Sequence, residues 1–452
     1  MIRTLLPLLF LCCTITGIAQ PAQPVSERIN EYLVAAQRAG LLNGAALVSK
    51  GDTILWQHGY GFKDLDKKAI ADSSSLFQIG SLTKSFTSTL IFQLQEQGLL
   101  QLTDKLEKFF PFYTVGAKVT IEQLLAHTGG IYEYSRDSVF MASIYSGHFS
   151  QDAFWKLIGN KPLDFAPGSK YSYSNCGYVI LGYVAEKVTG KSYWQLIREG
   201  IFEKAGMVHS GFDFIKTPKL YRATGYKCMH CQPPQIERIV DSTYTGGAGS
   251  IYTTSADLYR FSRALLSGKL ISTTTLAKAF TPVLQNYAYG WATQEILGKQ
   301  TVMHEGAIPG FLTLMALIPA DQYCIVLLTN NRDRKTDLRR CYIDLFKILY
   351  NQPYVLPRIP VTLPQELLAD YAGDFELVDN PSFKGYIRVD NGHFLLSWNK
   401  DKPGELFAEK KDFFFSDTYD MQLSFSRDSN GKVNGFTAYS AGKSFVYRRI
   451  AL

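Results

Sequence analysis

Ser81-Leu82-Thr83-Lys84 stands at the head of a helical pattern covering residues 81–98. On a helix a spacing of three brings both side chains onto one face, within reach of each other. The N-terminal N–H groups of such a helix also face any negative charge that develops there. A hydroxyl beside an amine makes a candidate nucleophile, provided the amine can lose its proton. Lysine's ordinary pKa near 10.4 must fall by roughly three units to serve at neutral pH, a cost of about 4 kcal/mol. Burial and a second cation are the two means of supplying that shift.

Outward from this helix, the pattern divides the chain. Residues 26–38 predict an amphipathic helix, and 44–62 predict two strands joined by a turn at Gly51-Asp52, from the alternation in Ala45-Ala46-Leu47-Val48 and Ile54-Leu55-Trp56. Further helical runs cover 120–126, 151–159, 175–203 and 255–267. Strands return at 299–305, 311–319 and 323–330, and a helix at 335–350 follows with apolar Tyr342, Leu345, Phe346 and Leu349. Strands at both ends with helices between predict an α+β unit whose antiparallel sheet is assembled from the two ends of residues 20–350. The proline-bearing stretch 351–364 reads as a linker. Residues 365–452 alternate around turns at Asn391-Gly392 and Asn430-Gly431, as a small all-β domain would.

A chain of 452 residues, 46% hydrophobic and 19% charged, can bury a sizeable core spread over two or three domains. Its formal charge of +7 is scattered among acidic residues instead of forming a stripe, so no nucleic-acid partner is expected. Residues 1–19 carry Arg3, an apolar run from Leu5 to Ile15, and small residues at Gly17 and Ala19. This reads as a signal peptide cut after Ala19, which implies a periplasmic or secreted protein. The run is shorter than a bilayer requires, and no later stretch is long enough, so no integral span is expected after cleavage. Export would leave Cys176, Cys228, Cys231, Cys324 and Cys341 in the mature chain. Cys228 and Cys231 read as a loop disulfide or idle thiols, because no second ligand pair completes a zinc site, and neither metal nor cofactor is expected.

Taken alone, a serine three residues before a lysine says little. The same spacing recurs at Ser397/Lys400, Ser429/Lys432 and Ser440/Lys443, inside the predicted β domain, where surface turns explain it. Ser81 differs in its company. Tyr173-Ser174-Asn175 follows a turn at Pro167-Gly168 and immediately precedes a helical run. A tyrosine can relay the serine proton, and an amide can orient a substrate. His304-Glu305-Gly306-Ala307 lies on a predicted strand that turns at Pro309-Gly310. Glycine at 306 would let a substrate backbone approach the strand edge. His304 is the group in that stretch able to hydrogen-bond near the nucleophile or depress a neighbouring pKa. Taken alone, Tyr173 and Asn175 would more often be ordinary turn residues, and His304 a structural histidine.

Together these elements resemble the serine β-lactamase and penicillin-binding-protein superfamily, in its class C branch with D-aminopeptidases, DD-carboxypeptidases and related esterases. Flanking segments share the resemblance: Leu124 to Gly130, Phe165 to Gly168, Gly246 to Ser250 and His304 to Phe311. It covers roughly residues 27–350 and implies an antiparallel sheet flanked by helices, with an all-helical region beside it. It also implies roles: Ser81 attacks a carbonyl, Lys84 and Tyr173 share the proton transfers, and Asn175 contacts the substrate amide. The backbone N–H groups of Ser81 and Ala307 would form an oxyanion hole, and His127 would be structural.

Two departures qualify the resemblance. Class C β-lactamases carry lysine where His304 stands and usually a small hydroxyl residue where Glu305 stands. Histidine occurs there in the peptidase and esterase relatives. The expected activity is therefore hydrolysis of an amide or ester in small acyl compounds or D-amino-acid peptides, cell-wall fragments among them. A β-lactamase and a catalytically silent binding protein for muropeptides or β-lactams are the alternatives. An α/β-hydrolase is disfavoured, since no G-x-S-x-G elbow occurs. Glu305, placed beside the strand edge, is expected to repel substrates with a free carboxylate unless it turns away or pairs with an Arg or Lys.

Overall fold

A computed structural model describes residues 23–361, 363–390, 393–399, 402–416, 421–440 and 443–450. The expected signal segment and the Asn391-Gly392 turn lie outside the described residues. Ala45 and Leu47 are buried on one side of their strand, and Ala46 and Val48 on the other. Such double burial is the mark of a central strand covered by two layers. The sheet is antiparallel and six-stranded, built from β1 (Gly44–Lys50), β2 (Thr53–Tyr60), β3 (Ala292–Ile296), β4 (Lys299–Ile308), β5 (Phe311–Ile318) and β6 (Tyr323–Thr329), in the order 2-1-6-5-4-3. β1 pairs with β6 from Gly44 opposite Thr329 to Lys50 opposite Tyr323, so the early hairpin and the late strands form one sheet.

One face is covered by α1 (Val25–Arg38), whose buried Ile29, Tyr32, Leu33 and Ala36 recur at helical spacing, together with α5 (Leu338–Leu349). The other face carries the helical region, which includes α2 (Thr83–Glu96), α3 (Asn175–Thr189) and α4 (Ser255–Leu266). Every residue from Thr83 to Leu94 is buried, although many are polar. Their hydroxyls and amides are satisfied internally: Ser85 donates to the Gly290 carbonyl, Ser88 to that of Tyr289, and Gln93 to those of Gly200 and Leu270.

Two boundaries differ from the sequence pattern for local reasons. The run expected to be helical over 175–203 is interrupted because Gly190, at φ +70°, caps α3 in the left-handed conformation, and Ser192 then caps the next helix. The helix expected from 335 begins at Leu338, where the Asp337 side chain accepts from the Arg340 N–H.

Beyond the body, the strands between Gly373 and Arg449 form a nine-stranded antiparallel sheet among the described residues. The first strand, Gly373–Leu377, pairs with the last, Lys443–Arg449. The two outermost strands, Gly404–Glu405 and Phe407–Lys410, are separated in sequence by Leu406 alone, so the sheet curls round a core of Tyr371, Phe375, Phe414, Phe425 and Phe436. The chain is thus a mixed α/β body with a helical region, followed by a barrel-like all-β domain.

Candidate active site

Ser81 sits in a single 3-10 turn, Gly80–Leu82, that runs into α2. Two glycines bring this turn against β4. Gly80 has φ +49°, and a Cβ there would lie 2.9 Å from the Ala307 backbone. A Cβ on Gly306 would strike the Ile79 carbonyl oxygen and the Thr313 hydroxyl, which donates to that carbonyl at 2.9 Å. This corrects the reading of Gly306: its missing side chain admits the protein's own backbone, which occupies the space first assigned to a substrate.

Lys84 lies one helical turn below Ser81 and is wholly buried. Its Nζ is 3.1 Å from Ser81 Oγ, 2.8 Å from Asn175 Oδ1 and 2.9 Å from the Ala248 carbonyl oxygen. Burial lowers its pKa to about 7, against the opposing charge of Glu133. No cation contributes to the shift, so of the two means open to the sequence, burial alone operates. The rings of Tyr173 and Tyr178 lie 4.7 and 5.6 Å from the amine. Burial raises the Tyr173 phenol well above its ordinary range, while the adjacent Ser81 hydroxyl acts in the opposite direction.

Asn175 opens α3, whose N-cap Ser174 accepts from the Gly177 N–H. Its backbone N–H and its Nδ2 both donate to Glu133, at 2.5 and 2.9 Å, while Oδ1 accepts from Lys84. His304 is buried on β4. Its Nδ1 donates to the Glu305 carbonyl at 2.7 Å, so Nε2 accepts from the Tyr287 hydroxyl at 2.9 Å. Burial, with the nearby Lys84, lowers its pKa to about 3. His304 is therefore an uncharged ring bonded to Tyr287 and the Glu305 carbonyl, which corrects the expectation that it bonds near Ser81; it has no part in the shift of Lys84, although it adds to the lowering of the His127 pKa.

Glu305 receives two parallel bonds from Arg339, Nε to Oε1 and Nη2 to Oε2, both 2.6 Å. Of the readings open for Glu305, the structure shows the one in which it pairs with an arginine, and the pair offsets the carboxylate's charge at the strand edge. Ala307 is exposed, and β3 pairs with β4 only from Lys299 to Met303, which leaves the outer edge of β4 unpaired by β3 from His304 onward.

The Beta-lactamase family model matches residues 29–348. The chain belongs to the beta-lactamase family. This beta-lactamase-family chain is 28% identical to penicillin-binding protein 4* of Bacillus subtilis over 429 residues, covering 88% of this chain and 93% of that one. That share cannot fit within residues 1–350, so the likeness reaches the β domain. Among solved structures, an octameric penicillin-binding protein homologue from Pyrococcus abyssi is 21% identical, with a TM-score of 0.66 over 93% of this chain and 99% of that one. The D-amino acid amidase of Ochrobactrum anthropi, complexed with D-phenylalanine, is 20% identical, with a TM-score of 0.64 over 73% of this chain and 99% of that one.

In this beta-lactamase-family chain, Ser81 borders a cleft of about 800 Å³ lined also by Tyr171, Tyr173, Tyr287, Glu305 and Arg339. A smaller space of about 180 Å³, also bordered by Ser81, is lined by Phe140, Met141, Ile144, Tyr244 and Ile308. Three neighbours of the site were not singled out from the sequence as acting on it. Glu133 and Tyr287 had no motif to mark them. His127, read as structural, accepts the Ser174 N–H at Nδ1 and packs 4.3 Å from the Tyr173 ring, which fixes the segment that carries Tyr173 and Asn175. Away from the site, Cys228 and Cys231 form a disulfide, and Cys176, Cys324 and Cys341 are buried free thiols.

Proposed function

We propose that this protein is a secreted or periplasmic serine hydrolase that cleaves amide or ester bonds through an acyl-enzyme on Ser81, with small acyl compounds or D-amino-acid peptides as substrates, cell-wall fragments among them. The observation that carries the reading is a fully buried lysine amine, its pKa lowered by that burial, within 3.1 Å of a hydroxyl at the rim of an open cleft. As Ser81 Oγ attacks a carbonyl carbon, its proton passes to Lys84, and the charge grows on the carbonyl oxygen. The N–H groups of Ser81 and Ala307 serve as donors to that oxygen. Support for Ala307 comes from the hairpin register: Ile308 faces Phe311 across the two-residue turn, so the next pair, Ala307 and Leu312, is of the type that turns its N–H groups away from the partner strand. Tyr173, whose raised pKa keeps it protonated, donates to the leaving group. Water then attacks the ester by the same relay in reverse.

The uncharged His304 and the paired Glu305 leave the strand edge without an unpaired charge. That favours the peptidase and esterase reading over a β-lactamase, in which a lysine would stand where His304 does. Turnover of p-nitrophenyl esters, D-amino acid p-nitroanilides and nitrocefin by the wild type and Ser81→Ala tests the proposal. Loss of the nucleophile is expected to cost up to roughly 10⁶ in rate. A Ser81→Ala protein that still hydrolyses or takes a fluorophosphonate label overturns it, and rapid turnover confined to nitrocefin transfers the assignment to a β-lactamase.

A further inference from the structure

We propose that Glu133 is a positioning residue that fixes which way the Asn175 amide faces and, through that amide, aims the lone pair of Lys84 at Ser81. This rests on the acyl-enzyme reading above and deepens it. Glu133 is 8% exposed and precedes a short 3-10 turn on the loop after His127. Its carboxylate accepts from the Asn175 N–H at 2.5 Å, from Asn175 Nδ2 at 2.9 Å and from the Ser135 N–H at 3.1 Å. A carboxylate can only accept, so the end of the Asn175 amide that faces it must be the NH₂ group. Oδ1 is thereby turned to Lys84.

An uncharged lysine has two N–H hydrogens and one lone pair. Of the three groups around Nζ, Asn175 Oδ1 and the Ala248 carbonyl can only accept, and they take the two hydrogens. The lone pair is left for the Ser81 hydroxyl, which must donate its proton along the 3.1 Å contact. A reversed amide would point an N–H at Lys84 and occupy the lone pair instead. The direction of the first proton transfer is therefore set by a carboxylate that touches neither Ser81 nor the Lys84 amine by hydrogen bonding. The titratable groups facing Lys84 are Glu133, Tyr173 and Tyr178 beside and within α3, His127, and His304 on β4. Both histidines are held uncharged and both phenols protonated, which leaves Glu133 as the anion among them.

Glu133→Gln offers one acceptor and one NH₂ where two acceptors are needed, and reversal of the Asn175 amide relieves the mismatch at Nδ2. The assay is the second-order rate constant for fluorophosphonate labelling of Ser81 in the full-length protein between pH 5 and 9, with a melting curve for each variant. Wild-type labelling should rise through about pH 7. Glu133→Gln should lower the high-pH plateau by about 10²-fold or more and move the acid limb to lower pH, since removing an anion disfavours the protonated amine. Glu133→Asp keeps the charge and should hold the wild-type limb, with a plateau roughly three- to thirtyfold below wild type, less than the loss of a whole general-base contribution. Should Glu133→Gln fail to fold, Glu133→Asp decides by its own figures: a plateau within threefold of wild type, or a displaced acid limb, overturns the inference. A Glu133→Gln plateau within threefold of wild type, or a loss of rate with the acid limb unmoved, overturns the inference. A wild type that takes no label overturns the acyl-enzyme reading and this inference with it.

Discussion

Replacing Lys84 with methionine keeps most of the side-chain volume while removing a titrating group from a fully buried position. In the folded protein the amine has a pKa of about 7, lowered from 10.5 by burial. Between those values the unfolded chain holds a proton that the folded chain does not, so wild-type stability rises with pH across that window. The lysine thus costs stability most below pH 7, and the cost fades toward pH 10.5. Integrated from pH 6 to pH 9, the difference amounts to roughly 3 kcal/mol. Lys84→Met also leaves Asn175 Oδ1 and the Ala248 carbonyl without their donor, a penalty that does not vary with pH and so drops out of the comparison. Urea unfolding of both proteins at pH 6, 7.5 and 9 supplies the measurement. The stability of Lys84→Met relative to wild type should fall steadily across the series by that amount. A gap that stays flat within 0.5 kcal/mol, roughly the non-additivity of distant sites, would refute the lowered pKa and with it the neutral amine on which the proposed chemistry depends.

Tyr173→Phe should lower kcat/KM by about 10² to 10⁴ on slow esters and anilides; near-complete activity would make the phenol structural. Removing the partner of Glu305 by Arg339→Ala exposes its charge to the cleft. Two like charges about 4 Å apart repel by roughly 1 kcal/mol in water and about 4 kcal/mol in a partly shielded site. The kcat/KM ratio of a D-peptide free acid to its amide should therefore fall at least about fivefold in that variant and stay near wild type in Glu305→Thr; an unmoved ratio in Arg339→Ala dismisses the pair from selectivity. Truncation after residue 350 should give a soluble, cooperatively melting body with altered preference across the substrate panel, because the barrel has its own aromatic core. Insoluble product would reveal a shared core, and unchanged kinetics would remove the barrel from substrate choice.

What the sequence disclosed follows from the range of the forces involved. The stripe Tyr342, Leu345, Phe346 and Leu349 announces α5 because burial against one face imposes a local period. The same holds for Ser81 and Lys84, which helix geometry alone brings together. Asn175 lies 91 residues from the lysine it meets, and only its motif company linked the two. Glu133 is one acidic residue in a loop, without period or motif, and its importance arises from two N–H groups that α3 directs at it. The Glu305 and Arg339 pair joins β4 to α5 across 34 residues, and no spacing rule fixes the placement of that helix. Gly306 was legible as a place where backbone comes close, but the identity of that backbone, Ile79, depends on the tertiary packing of β4 against the serine turn.

The pairing of β1 with β6 also governs when the candidate site can be completed. Gly44 finds its partner only when Thr329 exists, and the edge bearing Ala307 belongs to the same late segment. Contacts this distant in sequence form slowly and late. Without that late segment Ser81 and Lys84 have no strand edge to complete them. Nearly the whole body must therefore be synthesised before Ser81, Lys84 and the edge of β4 can meet.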